Sequence, residues 1–430
     1  MNKLLQAGDA GYDEARSVWN AMVDCHPAAI ARCHDTADVV AAVRFARETG
    51  LEIGVRCGGH SIAGHAVPDG GLMIDLTPMN AVRVAPERKR AYVQGGALLG
   101  ELDKAAQRYG LATTAGNVSH TGVGGLTLGG GMGWLARQFG LACDNVVSYE
   151  LVTADGDVVR ASADENSELF WGLRGGGGNF GIVTSFEFRL HHIGTRALVA
   201  EFRYPSAAGF DVLRAWRELS TTAPREATFT ASITADAVTV GYVWVGDGGY
   251  ELLDAFQALG PADEYVEEMP YLTLQSRDDS VQGHRYRRYW KGHYFKSLPD
   301  DAIHALLRTP GVSASLQAYG GAIADVADDD AAFSHRDTQF EFVTATRWED
   351  PAEDPTRIAR LRDYAATLAP YAGGAYLNVL NGDSIDRAFP PAKLARLTAL
   401  KTQYDPHNTF HLNQNIRPAG SAAVVGMMGG

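Results

Sequence analysis

Over the first 190 positions, apolar residues recur at two spacings, one of strands and one of helices. Residues 30–33 form a short apolar run. Behind Thr36, which is expected to cap a helix, Val39, Val40, Val43 and Phe45 recur at helical spacing, and Gly50 is expected to end it. Residues 51–55, 72–75 and 91–94 predict further strands, and 98–109 a helix closed by Gly110. Asp155-Gly156, between residues 150–153 and 158–161, is a hairpin signal. Across 182–190 the alternation is strict. Ile182, Thr184, Phe186, Phe188 and Leu190 share one face, which predicts a half-buried strand.

Past His191 and His192 the glycine clusters thin out, and 228–245 reads as a hairpin of alternating β-formers. Helices are expected near 210–219, 249–259 and 354–368. The 430 residues exceed what one hydrophobic core usually organises. Three stretches are therefore expected: 1–195, 196–394, and 395–430 returning to the first. The Gly/Ala/Met tail after Pro418 is low in complexity and expected to be mobile.

Composition narrows the class. A hydrophobic fraction of 46% with 21% charged residues describes a packed globular chain. The formal net charge of -13 gives phosphate backbones and anionic lipid no reason to approach, so neither a nucleic-acid nor a membrane partner is expected. The start of the chain has no long apolar leader, and no stretch is apolar enough to span a bilayer. A soluble, cytoplasmic protein is expected. The four cysteines show no pairing or zinc-ligand spacing; they read as reduced thiols, and no metal is expected.

Two segments concentrate the glycines. The first runs from Arg56 and Cys57 through Gly58, Gly59, His60 and Ser61 to Gly64. The second runs from Gly116 to Gly133 and contains Val118, His120, Thr121, Gly124, Gly125 and Gly131. Bare backbone at this density can approach a ligand closely and offer N–H groups to anionic oxygens, which points to a phosphate-bearing cofactor. Neither segment has the P-loop spacing. A Gly-x-Gly-x-x-Gly match at Gly176, Gly178 and Gly181 lacks the Rossmann context, because it follows an expected helix and opens a strand.

Taken together, these motifs resemble the berberine-bridge-enzyme-like branch of the vanillyl-alcohol-oxidase, or para-cresol-methylhydroxylase (PCMH), flavoprotein superfamily. The resemblance spans the opening strand-helix-strand through Ile53, both glycine segments, Asp144 and Asn145, residues 175–183, and Tyr404 to Asn408 with Asn413 and Asn415. Among bacterial members the chain is similar to the 6-hydroxy-D-nicotine oxidase type. The resemblance implies an α+β fold: a two-part FAD-binding domain of the PCMH type plus a substrate domain whose antiparallel sheet is covered by helices.

It also implies FAD bound covalently through one histidine, and His60 is the residue that matches. A neutral imidazole on a glycine loop is a competent nucleophile. Where many relatives add a second bond through cysteine, this chain has Val118, so attachment at one point is expected. Thr121 stands where the family places a small side chain controlling oxygen access. Gly58, Gly59, Ser61, Gly116, Gly124, Gly125 and Gly131 are expected to meet the pyrophosphate and ring, Ile182 and Val183 the adenine, and Asn413 and Asn415 the flavin face. Arg56, Cys57 and His120, in the same loops, complete the expected cofactor set.

The implied activity is that of an FAD-dependent oxidase. Hydride passes from a C–H next to O or N of a small organic substrate (an alcohol, a sugar or a secondary metabolite) to flavin N5, and O2 returns as H2O2. Tyr376 and Asn378, on the family's Tyr-x-Asn strand, are expected at the reacting centre. Tyr376 serves there as base or anchor, and the cation of Lys291 is expected to lower its pKa. The basic-aromatic run around Lys291, from Tyr286 to Tyr294, reads as a cleft wall or an amphipathic helix face. His335 and Arg336 read as structural. Val379 stands where alcohol- and sugar-oxidising relatives often carry a further aromatic. Two alternatives stay open: an amine oxidase, and a non-catalytic flavoprotein that sequesters a drug-like compound.

Overall fold

The computed structural model describes residues 4–279, 283–309 and 311–420, so the low-complexity tail from Ser421 on lies outside the described residues. The first stretch builds three sheets, the smallest a two-stranded pair of Leu111–Ala112 with His191–His192. One is parallel, with strands Ala29–Arg32, Leu72–Asp75 and Ile53–Arg56 side by side in that order. Helix Thr36–Thr49 lies on it and buries Val39, Ala42, Val43 and Ala46 against Ile53, Leu72 and Ile74. Each buried valine or larger aliphatic side chain contributes about 1.5–3 kcal/mol.

The cap of this helix is Asp35, not Thr36. The Asp35 carboxylate accepts the Asp38 N–H at 2.9 Å, while the Thr36 hydroxyl donates to Glu150 at 2.9 Å in the neighbouring sheet. Both residue types cap well; a partner brought in by the fold decided between them.

The second sheet is antiparallel, ordered Val82–Ala85, Arg90–Gln94, Ile182–Arg189, Val146–Val152, Val158–Ser162. Ile182, Thr184, Phe186 and Phe188 are buried, as the alternation predicts. The hairpin at Asp155-Gly156 joins the last two strands, with Gly156 at φ 79°. Within the glycine run, Val123–Leu128 forms a short helix that glycine's poor propensity concealed.

The second stretch is a seven-stranded antiparallel sheet, ordered Asp263–Pro270, Arg196–Pro205, Ala237–Val245, Ala227–Ile233, Ser313–Ala318, Phe340–Trp348, Arg287–Phe295. Helices Gly209–Thr222, Asp300–Leu306 and Asp354–Leu368 cover one face, where Trp216, Phe229, Leu316, Phe342 and Leu361 form the core. Residues of opposite phase, Thr230, Ser232, Ser315, Gln317, Glu341 and Val343, turn the other face toward a cavity. The run around Lys291 is strand Arg287–Phe295 and not a helix face. Its tyrosines, Trp290 and Phe295 favour strands, and Phe340–Trp348 supplies the ladder.

The chain then returns to the first stretch. Ala375, Leu377, Leu380, Ala388 and Phe389 pack in one core with Phe186, Phe188 and Leu173, joined by Leu397 and Leu400 of helix Pro391–Tyr404. Asp405 ends that helix: it accepts the N–H groups of Thr409 and Phe410 and pairs with Lys401 at 2.7 Å, both charges fully buried. That knot sets the path of residues 410–414 into the cavity wall.

Candidate active site

Between the polar sheet face and the glycine loops lies a cavity of about 930 Å³, at the upper end of the range for small-molecule and cofactor sites. The parallel sheet contributes Ile53 and Val55, the antiparallel sheet Ile182 and Val183, and the returning segment Phe410, Leu412, Asn413 and Gln414. Gly58 and Gly122 are packed backbone to backbone, so a Cβ on either would strike the other. Gly125 and Gly178 differ: a Cβ there would meet nothing within 4 Å, and their bare backbone faces the cavity.

Five buried polar atoms on the wall have no hydrogen-bond partner among the described residues: His65 Nε2, Asn117 Oδ1, Asn413 Oδ1, Trp134 Nε1 and Gln317 Nε2. Leaving such groups unpaired costs about 1–3 kcal/mol each, so they mark where a ligand's donors and acceptors belong. Bare glycine backbone, buried amide acceptors and a neutral imidazole in one cavity suit a dinucleotide that carries a ring. The residues present therefore fit FAD.

The His60 ring lies on this wall, stacked on Trp19 with centroids 4.6 Å apart and planes 16° apart. Burial, with His120 and Arg288 alongside, pushes its imidazole down to about 3, so it is neutral at working pH. Its Nε2 lies 2.6 Å from His120 Nδ1.

Cys57, Gly58, Gly59, Ser61, Gly116, Val118, Thr121, Gly124, Gly125, Ile182, Val183, Tyr376, Asn378 and Asn413 line the same cavity. Burial pushes the Cys57 thiol up to about 11, which keeps it protonated. Five expected residues do not line it. Arg56 turns away and donates to the Ala15 carbonyl. His120 sits behind His60. Gly131 is held against Ala142, its N–H donating to the Tyr376 hydroxyl at 2.9 Å. Asn415 lies past the turn that brings Asn413 to the wall.

Lys291 is the fifth and requires a correction. Along Arg287–Phe295, Trp290 faces the cavity, whereas Lys291 and His293 face the opposite side. Lys291 pairs there with Asp383 at 2.6 Å and donates to the Asn381 carbonyl. It therefore does not lower the pKa of Tyr376. Burial, with Glu341 nearby, pushes the Tyr376 hydroxyl well above its ordinary value; it accepts hydrogen bonds from Gly131 and Asn378. Lys291→Met is expected to destabilise the chain by about 1.5–3 kcal/mol, the worth of a charged hydrogen bond. The thermal midpoint should fall while the pH profile of turnover stays in place.

Glu341 is the group the sequence reading missed. Only 8% exposed, it opens onto the cavity, accepts the Tyr319 O–H at 2.7 Å and stands opposite Gln317 in the strand register. Burial pushes its carboxyl up to about 7, against the opposing hydrogen bond from Tyr319. A signal was available in the sequence: a glutamate out of phase with Phe340 and Phe342 in a run of β-formers.

Comparison with known proteins agrees with this geometry. A family described as FAD binding domain matches residues 27–162, and one described as Berberine and berberine like matches residues 375–417. An FAD-linked oxidoreductase of Dictyostelium discoideum is 32% identical over 413 residues, 93% of this chain and 91% of that protein. (R)-6-hydroxynicotine oxidase of Paenarthrobacter nicotinovorans is 32% identical over 457 residues, 97% of each. The solved structure of glucooligosaccharide oxidase from Acremonium strictum, described with a 6-S-cysteinyl, 8α-N1-histidyl FAD, superposes with a TM-score of 0.87 at 26% identity, covering 97% of both chains. On fold, cavity and sequence alike, the chain belongs to the berberine-bridge-enzyme-like FAD-linked oxidoreductases of the PCMH superfamily.

Proposed function

We propose that this oxidoreductase is an oxidase carrying FAD on His60. In this reading it takes hydride from a C–H next to O or N of a small organic substrate, with Glu341 as the base. Bound FAD supplies the hydride acceptor and passes two electrons to O2, giving H2O2. The carrying observation is that Glu341, a buried carboxyl poised near neutrality, shares one cavity with the neutral imidazole of His60. Glu341 would accept the proton leaving the substrate O or N. Thr230, Ser232, Ser315 and Gln317 on the same face would orient the substrate, and Trp134 and Trp290 would exclude water from it. Val118 at the second attachment position supports a single tether.

An amine substrate is the second reading, supported by the extent of the match to the hydroxynicotine-oxidising relative. Anaerobic bleaching across alcohols, sugars and amines separates the two. A ligand that binds without bleaching would instead support sequestration. For the tether, wild-type protein precipitated with acid should keep its yellow colour in the pellet, whereas His60→Ala should release all flavin to the supernatant. Flavin retained in the His60→Ala pellet would place the bond elsewhere.

A further inference from the structure

We propose that His120 is a positioning residue for covalent attachment of FAD: it accepts the Nε2 proton of His60, which leaves the Nδ1 lone pair of His60 as the nucleophile. The inference rests on the His60 tether proposed above. The two rings meet through His60 Nε2 and His120 Nδ1 at 2.6 Å, so Nε2 is engaged away from the cavity. His60 Nδ1 has only a long contact of 3.4 Å with Thr121 Oγ1. Stacking on Trp19, itself covered by the Arg288 guanidinium at 4.0 Å, holds the imidazole plane.

His120 does not line the cavity, and its own Nε2 is buried with no hydrogen-bond partner among the described residues. Paired through Nδ1 with His60, His120 selects the His60 tautomer, as a second-layer partner does for a metal-bound histidine. Burial, helped by Arg288 and opposed by Asp279, pushes the His120 imidazole below its ordinary value, so the ring is neutral and can accept the proton.

Attachment joins His60 Nδ1 to the 8α carbon of FAD. One C–H bond of that carbon and the N–H bond of His60 break, and the two protons and two electrons released reduce one O2 to H2O2. His120 receives the N–H proton, one of the two that end on H2O2.

The test uses the full-length chain from flavin-starved cells, mixed with FAD in air, with acid-stable flavin in the pellet followed over time and initial binding followed by fluorescence. His120→Ala should bind FAD yet attach it slower by about a hundredfold or more, the range of a lost general base. His120→Asn, which places an amide oxygen near the Nδ1 position, should recover much of the rate. Imidazole in solution should speed the Ala variant and not the wild type. Attachment by His120→Ala at the wild-type rate overturns the inference and leaves the tether standing, as does a slow variant that neither Asn nor imidazole restores. A wild-type chain that yields all its flavin to acid overturns the tether, and this inference with it.

Discussion

Glu341→Gln should slow anaerobic reduction of the bound flavin at saturating substrate by about 10²–10⁴-fold, the range for removing a general base. Glutamine keeps the shape and can still meet the Tyr319 hydroxyl, so packing is preserved while the proton acceptor is lost. The pH profile gives an independent check. The base must be deprotonated to act, and its carboxyl is pushed up to about 7. Below that pH, kcat/KM should fall about tenfold per unit as the protonated fraction grows, and in the Gln variant this slope should vanish. Tyr376→Phe should cost far less, since its hydroxyl proton is held by burial. Stopped-flow reduction rates decide between them; a Tyr376→Phe loss matching that of Glu341→Gln would move the base to the tyrosine.

Arg336→Met should destabilise the chain by about 3–5 kcal/mol, because it leaves a carboxylate buried without its partner. The Arg336 guanidinium grips both oxygens of Asp144 at 2.7 Å, with the two side chains 4% and 6% exposed. Asp144 follows the glycine run, while Arg336 sits in the loop before strand Phe340–Trp348. The pair therefore pins the flavin side to the strand that carries Glu341. Replacing both partners, with Asp144→Leu added, should be less harmful than the single change, since a matched apolar pair has no charge to desolvate. Thermal unfolding of the three proteins checks the order.

Much of the site was readable from local spacing. The glycine segments, the histidine within one of them and the hairpin at Asp155-Gly156 depend on backbone geometry over a few residues, and short-range sequence carries that information. Lys291 shows where such reading fails. In a strand the face alternates at every residue, so treating 286–294 as a cleft wall without a register put Lys291 beside Tyr376, when it lies across the sheet.

By itself, the sequence determined the α+β alternation, the glycine-lined cradle and the imidazole that faces it, because period-two and period-3.6 patterns and missing side chains act where they stand in the chain. The tertiary structure alone decided that Glu341 rather than Lys291 meets the cavity, that Asp35 rather than Thr36 caps the first long helix, and that His120 backs His60. Each of these depends on a partner far away in the chain. Burial and pairing, which set proton affinity and hydrogen-bond direction, exist only once distant segments have closed on one another.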